Sequence, residues 1–216
     1  MKRMITVILA AAVMISLLPC ASFASDDILE SKAMYYTEES DYISGDCILT
    51  ATRMMIRRAA AMRGKDGWKN ILNETLRPVA TVDGCLLSSF SFESEGLVYH
   101  VSFGEFSGGD DAARIKEIES LLEKHPEGIV VHGDWAASTG THGVLAVAVK
   151  GGELYAVDAS YNMGIFSEGI QKWSETTMLE PSLSTRYWYI SDVSEAEWRP
   201  DLGIDRRMYF NMLRCA

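Results

Sequence analysis

An α+β domain, with helices packed on an antiparallel sheet, is the fold class this chain predicts. Two observations carry it. Helix-forming residues with a three-to-four apolar repeat dominate the first half, and alternating or continuous apolar runs dominate the second. The clearest local unit, a β-hairpin, lies in that second half. No internal repeat or low-complexity linker breaks the chain.

The chain opens with Lys2 and Arg3, then an uncharged apolar run from Ile5 to Leu18. Small residues follow, ending Ser22-Phe23-Ala24 ahead of the acidic Ser25-Asp26-Asp27. This order predicts a signal peptide over residues 1–24, cleaved after Ala24, and a secreted, extracellular product. An uncleaved anchor and a lipoprotein are the alternatives. Against them, the apolar run is roughly 14 residues, short of the ~20 a membrane span needs, and Cys20 follows Pro19. Loss of residues 1–24 leaves 192 residues, enough for one domain with a sizeable core. Residues 25–44 are acidic and weakly patterned and read as an N-terminal arm before a domain at 45–216.

From Asp46 to Met62 the spacing predicts a long helix. Ile48, Ala51, Met55, Ala59 and Met62 form its apolar stripe, and Thr50, Arg53 and Arg57 form the opposite, polar one. Ser44 or Asp46 can cap its start, and Gly64 can end it. A second helix is expected at Trp68–Leu76, stopped by Pro78. Gly96 to Phe103 alternates as a strand. Asp110 to Lys124 is an amphipathic helix with Ile115, Ile118, Leu121 and Leu122 inward, ended by His125-Pro126-Glu127-Gly128. Ile129 to His132 reads as a short strand and Gly133 to Thr141 as a small-residue loop. His142 to Val149, the turn Lys150-Gly151-Gly152 and Glu153 to Asp158 make the hairpin. A short helix at Ser167 to Trp173 and a last strand at Ser184 to Ile190 complete the set.

Composition excludes several partner classes. The formal charge is −10, and loss of Lys2 and Arg3 with the signal peptide makes it −12. An acidic chain repels nucleic acid and anionic lipid. No nucleic-acid partner and no membrane association after signal cleavage are therefore expected. The charges are dispersed, which describes a solvated surface and suits a monomer. Cys47, Cys85 and Cys215 follow the signal peptide. An odd count in an exported chain leaves a thiol over. Cys85 and Cys215 could pair and leave Cys47 free, or all three could be buried and reduced.

Three residues combine into chemistry. Cys47, after Ser44-Gly45-Asp46, sits in the first turn of the long helix, where free N–H groups and the helix dipole favour a thiolate. His142 opens an apolar strand 95 residues later, and Asp158 ends the partner strand 16 residues beyond it. A three-residue loop would pair Val149 with Glu153 and Val144 with Asp158, placing His142 diagonally beside Asp158 on one face. A two-residue Gly-Gly loop would separate them. An Asp that holds one imidazole nitrogen leaves the other to deprotonate a thiol. Trp135 and Tyr161 flank the pair in sequence and are candidate walls of a substrate cleft. His125 and His132 lie across a turn from one another, so neither a metal site nor a cofactor is expected. Gly108-Gly109 and Gly151-Gly152 lack the Lys-Ser/Thr of a phosphate loop. Tyr187, Trp188 and Tyr189 read as core.

The order of Cys, His and Asp resembles the papain-like cysteine peptidases. Within these, the local text is most similar to the bacterial double-glycine-leader (bacteriocin-processing) family. The resemblance rests on Asp46-Cys47-Ile48-Leu49-Thr50-Ala51 before Met54-Met55, then on Leu121 to Val131. It continues with Thr141-His142-Gly143-Val144-Leu145-Ala146-Val147 and Tyr155-Ala156-Val157-Asp158-Ala159. It implies a papain-like fold, a peptide or protein substrate, Cys47 as nucleophile, His142 as general base then acid, and Asp158 as its orienting partner. One position departs. The family's oxyanion Gln, about six residues before the Cys, is here Asp41. The Cys47 N–H with the Ser44 or Tyr42 hydroxyl would then serve instead. A catalytically impaired binding module on the same fold and a cell-wall peptide hydrolase are the rival readings.

Overall fold

The computed structural model describes residues 26–36, 46–135, 141–158, 169–175 and 179–196. Two short helices, α1 (Asp26–Leu29) and α2 (Lys32–Tyr35), precede the long α3 (Cys47–Met62). A 3-10 turn (Asp66–Asn70) leads to α4 (Asn73–Ala80) and a small ribbon, β1 (Thr81–Val82) and β2 (Cys85–Leu86). Next come β3 (Ser89–Ser94), β4 (Leu97–Glu105), α5 (Asp111–Leu122), β5 (Ile129–Trp135), β6 (Thr141–Lys150), β7 (Glu153–Val157), β8 (Gln171–Lys172) and β9 (Leu179–Glu195). The last seven strands form one antiparallel sheet in the order β3-β4-β9-β5-β6-β7-β8. The α+β class is as the sequence predicts, with α3 packed on the antiparallel sheet.

The central strands are covered on both faces. Val130, Leu145 and Val157 join the core of α3, whereas Ile129, Val131, Val144, Ala146 and Ala156 join Ile118 of α5. Burial on both sides is why β5 and β6 read as continuous apolar runs rather than alternating ones. Asp110 caps α5 by accepting the Ala113 N–H at 2.8 Å.

The polar stripe of α3 is buried along with the apolar one. Arg53 donates to the Tyr35 carbonyl at 2.7 Å. Arg57 donates to the carbonyls of Ile71 at 2.8 Å, Lys69 at 3.1 Å and Ala33 at 3.3 Å. Arg58 holds the Glu127 carbonyl at 2.9 Å and the Tyr35 hydroxyl at 2.7 Å. A guanidinium can enter a core when its donors find acceptors, and here backbone carbonyls and the Tyr35 hydroxyl serve as acceptors. Residues 26–36 are consequently no loose arm: Met34, Tyr35 and Tyr36 belong to the core.

Several expectations change. Pro78 lies inside α4 instead of stopping a helix before it. Pro78 and Glu74 are both exposed, so the carbonyl that loses its donor can be hydrated. The expected helix at Ser167–Trp173 is, in its described part, the short edge strand β8 pairing Tyr155 with Lys172, followed by a 3-10 turn at Trp173–Glu175. The expected loop from Gly133 to Thr141 is strand at both ends, through Trp135 and from Thr141. Among the described residues no helix is long and apolar enough to cross a membrane. The expected signal peptide lies outside the described residues.

Replacing Arg57 by Ala would strip three carbonyls of their donor. At about 1–3 kcal/mol for each buried group left unpaired, a loss of about 3 kcal/mol is expected. Urea unfolding measures it as a lower midpoint at unchanged slope. A loss below about 1 kcal/mol would mean that water replaces the guanidinium.

Candidate active site

The hairpin places two of the three residues, by a route the sequence did not predict. The turn is the two-residue Gly151-Gly152, with Lys150 opposite Glu153 and Val149 opposite Leu154. Continued unbroken, that register would put His142 and Asp158 on opposite faces. A register shift between Ala146 and Ala148 intervenes, so that Ala146 faces Ala156 and Leu145 faces Val157. Val147 is the extra residue of this bulge. Beyond it the pairing is the one a three-residue loop would give. The His142 and Asp158 side chains therefore meet, Nε2 to Oδ1, at 2.8 Å. Both are buried, Asp158 completely.

Cys47 is brought to them by α3, whose first residue it is. The Thr50 N–H bonds the Asp46 carbonyl at 2.8 Å. The N–H groups of Cys47, Ile48 and Leu49 thus have no carbonyl within the helix. The Cys47 side chain lies beside His142 and near the backbone N–H groups of Gly143 and Ile48, close enough for each to favour its ionised form. With Nε2 of His142 on Asp158, Nδ1 is the nitrogen left for the thiol.

The close approach depends on Gly143. A Cβ built there would lie 2.6 Å from Ile48 Cγ1 and 3.0 Å from Ile48 Cα. Only glycine lets the start of β6 lie against the first turn of α3. In the sequence Gly143 stands only as one residue of the run that follows His142. Its one visible signal is a residue without a side chain directly after a histidine at a strand mouth.

Opposing effects set the charges. Burial pushes the Cys47 thiol up. The hydrogen bond and charge of His142, with the Gly143 and Ile48 N–H groups, outweigh burial and leave it below the usual thiol value. Burial pushes His142 down. The hydrogen bonds to Asp158 and Cys47, and then their charges, raise it to about 9. A thiolate beside an imidazolium is the state these shifts favour.

The other histidines are elsewhere. His132 stacks on Trp188 at 5.4 Å, His125 lies 4.9 Å from Tyr189, and His100 bonds the Ser91 hydroxyl at 2.8 Å. No group of three metal-ligating side chains occurs among the described residues. Trp188 is core, with its indole N–H on the Leu87 carbonyl at 3.0 Å.

Asp46 does not cap α3 with its side chain. Its carboxylate is instead held by both terminal nitrogens of Arg77, on α4. Nothing in the sequence flagged Arg77, which lies 31 residues from its partner. Trp135 ends β5 with its backbone opposite Leu179. Asp41, Tyr42, Ser44, Tyr161 and Cys215 lie outside the described residues, and Cys85 is exposed on β2. Comparison with known protein families, curated proteins and solved structures found no match to this chain.

Gly143→Ala is expected to push β6 off α3 and part Cys47 from His142. Iodoacetamide labelling of Cys47 at neutral pH should slow roughly tenfold, because misplacement by an ångström costs that much or more. The far-UV circular dichroism should be unchanged. Labelling at the unaltered rate would show that the contact tolerates the methyl.

Proposed function

We propose that this chain is an exported papain-like thiol hydrolase that cleaves peptide or amide bonds. The observation that supports the reading is the buried His142–Asp158 pair, 2.8 Å apart, with the half-buried Cys47 beside His142 at the start of α3. In this reading the Cys47 thiolate attacks the substrate carbonyl carbon, and the carbonyl oxygen becomes an oxyanion. The Cys47 backbone N–H, unpaired within the helix, is a donor of the type that stabilises it. Tyr42 and Ser44 are the sequence's candidates for a second donor, and Trp135 and Tyr161 for cleft walls. The His142 imidazolium gives its proton to the leaving nitrogen as the C–N bond breaks, which leaves a thioester. Neutral His142 then takes a proton from water, which attacks the thioester and releases the acid and the Cys47 sulfur. Asp158 keeps the ring in the required tautomer and stabilises its positive form.

Labelling with iodoacetamide or a peptidyl epoxide at neutral pH tests the nucleophile. Cys47 should react at least tenfold faster than a free cysteine, and His142→Ala should abolish the excess. In that variant burial still pushes the thiol up, while the largest opposing interaction is gone. Reaction no faster than free cysteine would refute the enzyme. Release of peptides from casein or from purified peptidoglycan then separates a protein-directed peptidase from a cell-wall hydrolase. Fast labelling without turnover of either would favour a binding module.

The pH profile of turnover follows from the same shifts. Turnover needs Cys47 ionised and His142 protonated, so it should rise through the depressed thiol value and fall near pH 9. Asp158→Asn removes the strongest of the interactions that raise His142. The alkaline limb should therefore move down toward the ordinary histidine range near 6.5. A limb that stays near pH 9 would mean that Asp158 does not hold the imidazolium.

A further inference from the structure

Two side-chain pairs lock α4 against the first turn of α3. Asp46 and Thr50 lie four apart at the start of α3, and Asn73 and Arg77 lie four apart on α4. Arg77 takes both carboxylate oxygens of Asp46, and the Asn73 amide donates to the Thr50 hydroxyl at 2.7 Å. The partners run in opposite directions, so one helix face reads the other. Cys47 sits inside the span that they clamp.

The pairing with Asp46 has two consequences at the thiol. An Asp preceding the first helical residue ordinarily turns in to accept an N–H of the first turn. Here both oxygens are held by Arg77 and no such bond forms. The first-turn N–H groups beside Cys47, that of Ile48 among them, are thereby not taken up by the Asp46 carboxylate. The second consequence is electrostatic. A carboxylate one residue before a thiolate opposes its ionisation, and a bidentate guanidinium cancels that charge where it arises.

We infer that Arg77 is a positioning residue for Cys47, acting through Asp46: it holds the carboxylate off the helix start and cancels its charge beside the thiol. The inference rests on the reading of Cys47 as nucleophile.

The pH dependence of Cys47 alkylation by iodoacetamide tests it in the full chain, in wild type, Arg77→Gln, Asp46→Asn and the double variant. Arg77→Gln should raise the midpoint by roughly half to one pH unit, the size of one uncompensated charge at such a distance. Asp46→Asn should lower it, because the Arg77 charge is then unopposed. The double variant should return close to wild type, and Arg77→Lys should recover part of the loss. A brace that merely stiffens the helix would move every variant the same way, the double one furthest. An unmoved midpoint in Arg77→Gln, or a double variant as displaced as Arg77→Gln, overturns the inference. Should Arg77→Gln fail to fold, Asp46→Asn alone decides: a fall supports the role, and a rise or no shift overturns it. A wild-type midpoint at the ordinary thiol value refutes the nucleophile itself. A depressed wild-type midpoint that these variants leave in place removes only the Arg77 role.

Discussion

The van der Waals contact between Gly143 and the first turn of α3 is the constraint on which the site depends. Helix axes and sheets normally stand about 10 Å apart because side chains fill the space between them. At Gly143 there is no side chain to fill it, and Ile48 occupies the position a Cβ would take. The Gly143 N–H and His142, one residue earlier, are thereby brought near enough to Cys47 to favour its thiolate. Helix start and strand start thus meet at one point, and the helix contributes its free N–H groups to that point.

Holding a helix end at such a distance requires that the rest of the helix cannot slide. Burial of α3 on every side supplies this. Its apolar side packs on the sheet, and its arginines grip carbonyls of α2, of the 3-10 turn region and of the turn before β5. These bonds have fixed lengths and directions, unlike apolar contacts, so they define the rotation of α3 about its axis as well as its depth. The rotation matters because it aims the residue at the helix start.

Much of this was legible in the sequence, and the remainder failed for physical reasons. The long helix, the hairpin and the helix at 111–122 follow from periodicity, which reports which face meets apolar neighbours. That His142 and Asp158 lie at the same end of one hairpin also followed, because strand pairing preserves order, but the register that was to bring them together held only for a three-residue turn. The means did not, since the two-residue turn and the Val147 bulge offset one another and neither has a strong sequence mark. Strand β3, with Phe90 and Phe92 inward, alternates over only six residues, which makes a weak signal. The burial of Arg53 and Arg57 was out of reach because their partners are backbone carbonyls, which every sequence contains. Asp46 read as a cap because its neighbours along the chain favour one, and the ion pair with Arg77 that displaces the cap is a long-range contact.

The opposite shifts of Cys47 and His142 act against one another in the pH dependence of stability. A raised histidine value contributes stability that is complete below about 6.5 and is lost as pH rises through about 9. A lowered thiol value contributes stability that is complete above its ordinary 9.0 and is lost as pH falls through the depressed value. The two slopes have opposite signs. Wherever Cys47 is ionised while His142 is protonated, the folded pair holds one proton. Between 6.5 and 9 the unfolded pair also holds one, on the thiol. Above the depressed thiol value and below about 9, folding then moves the proton from sulfur to nitrogen without exchanging it with solvent, so the pair adds no pH slope to stability there. Coupling the two groups across the Gly143 contact therefore leaves the range in which the proposed chemistry operates, with the thiol ionised and the imidazole protonated, free of that slope.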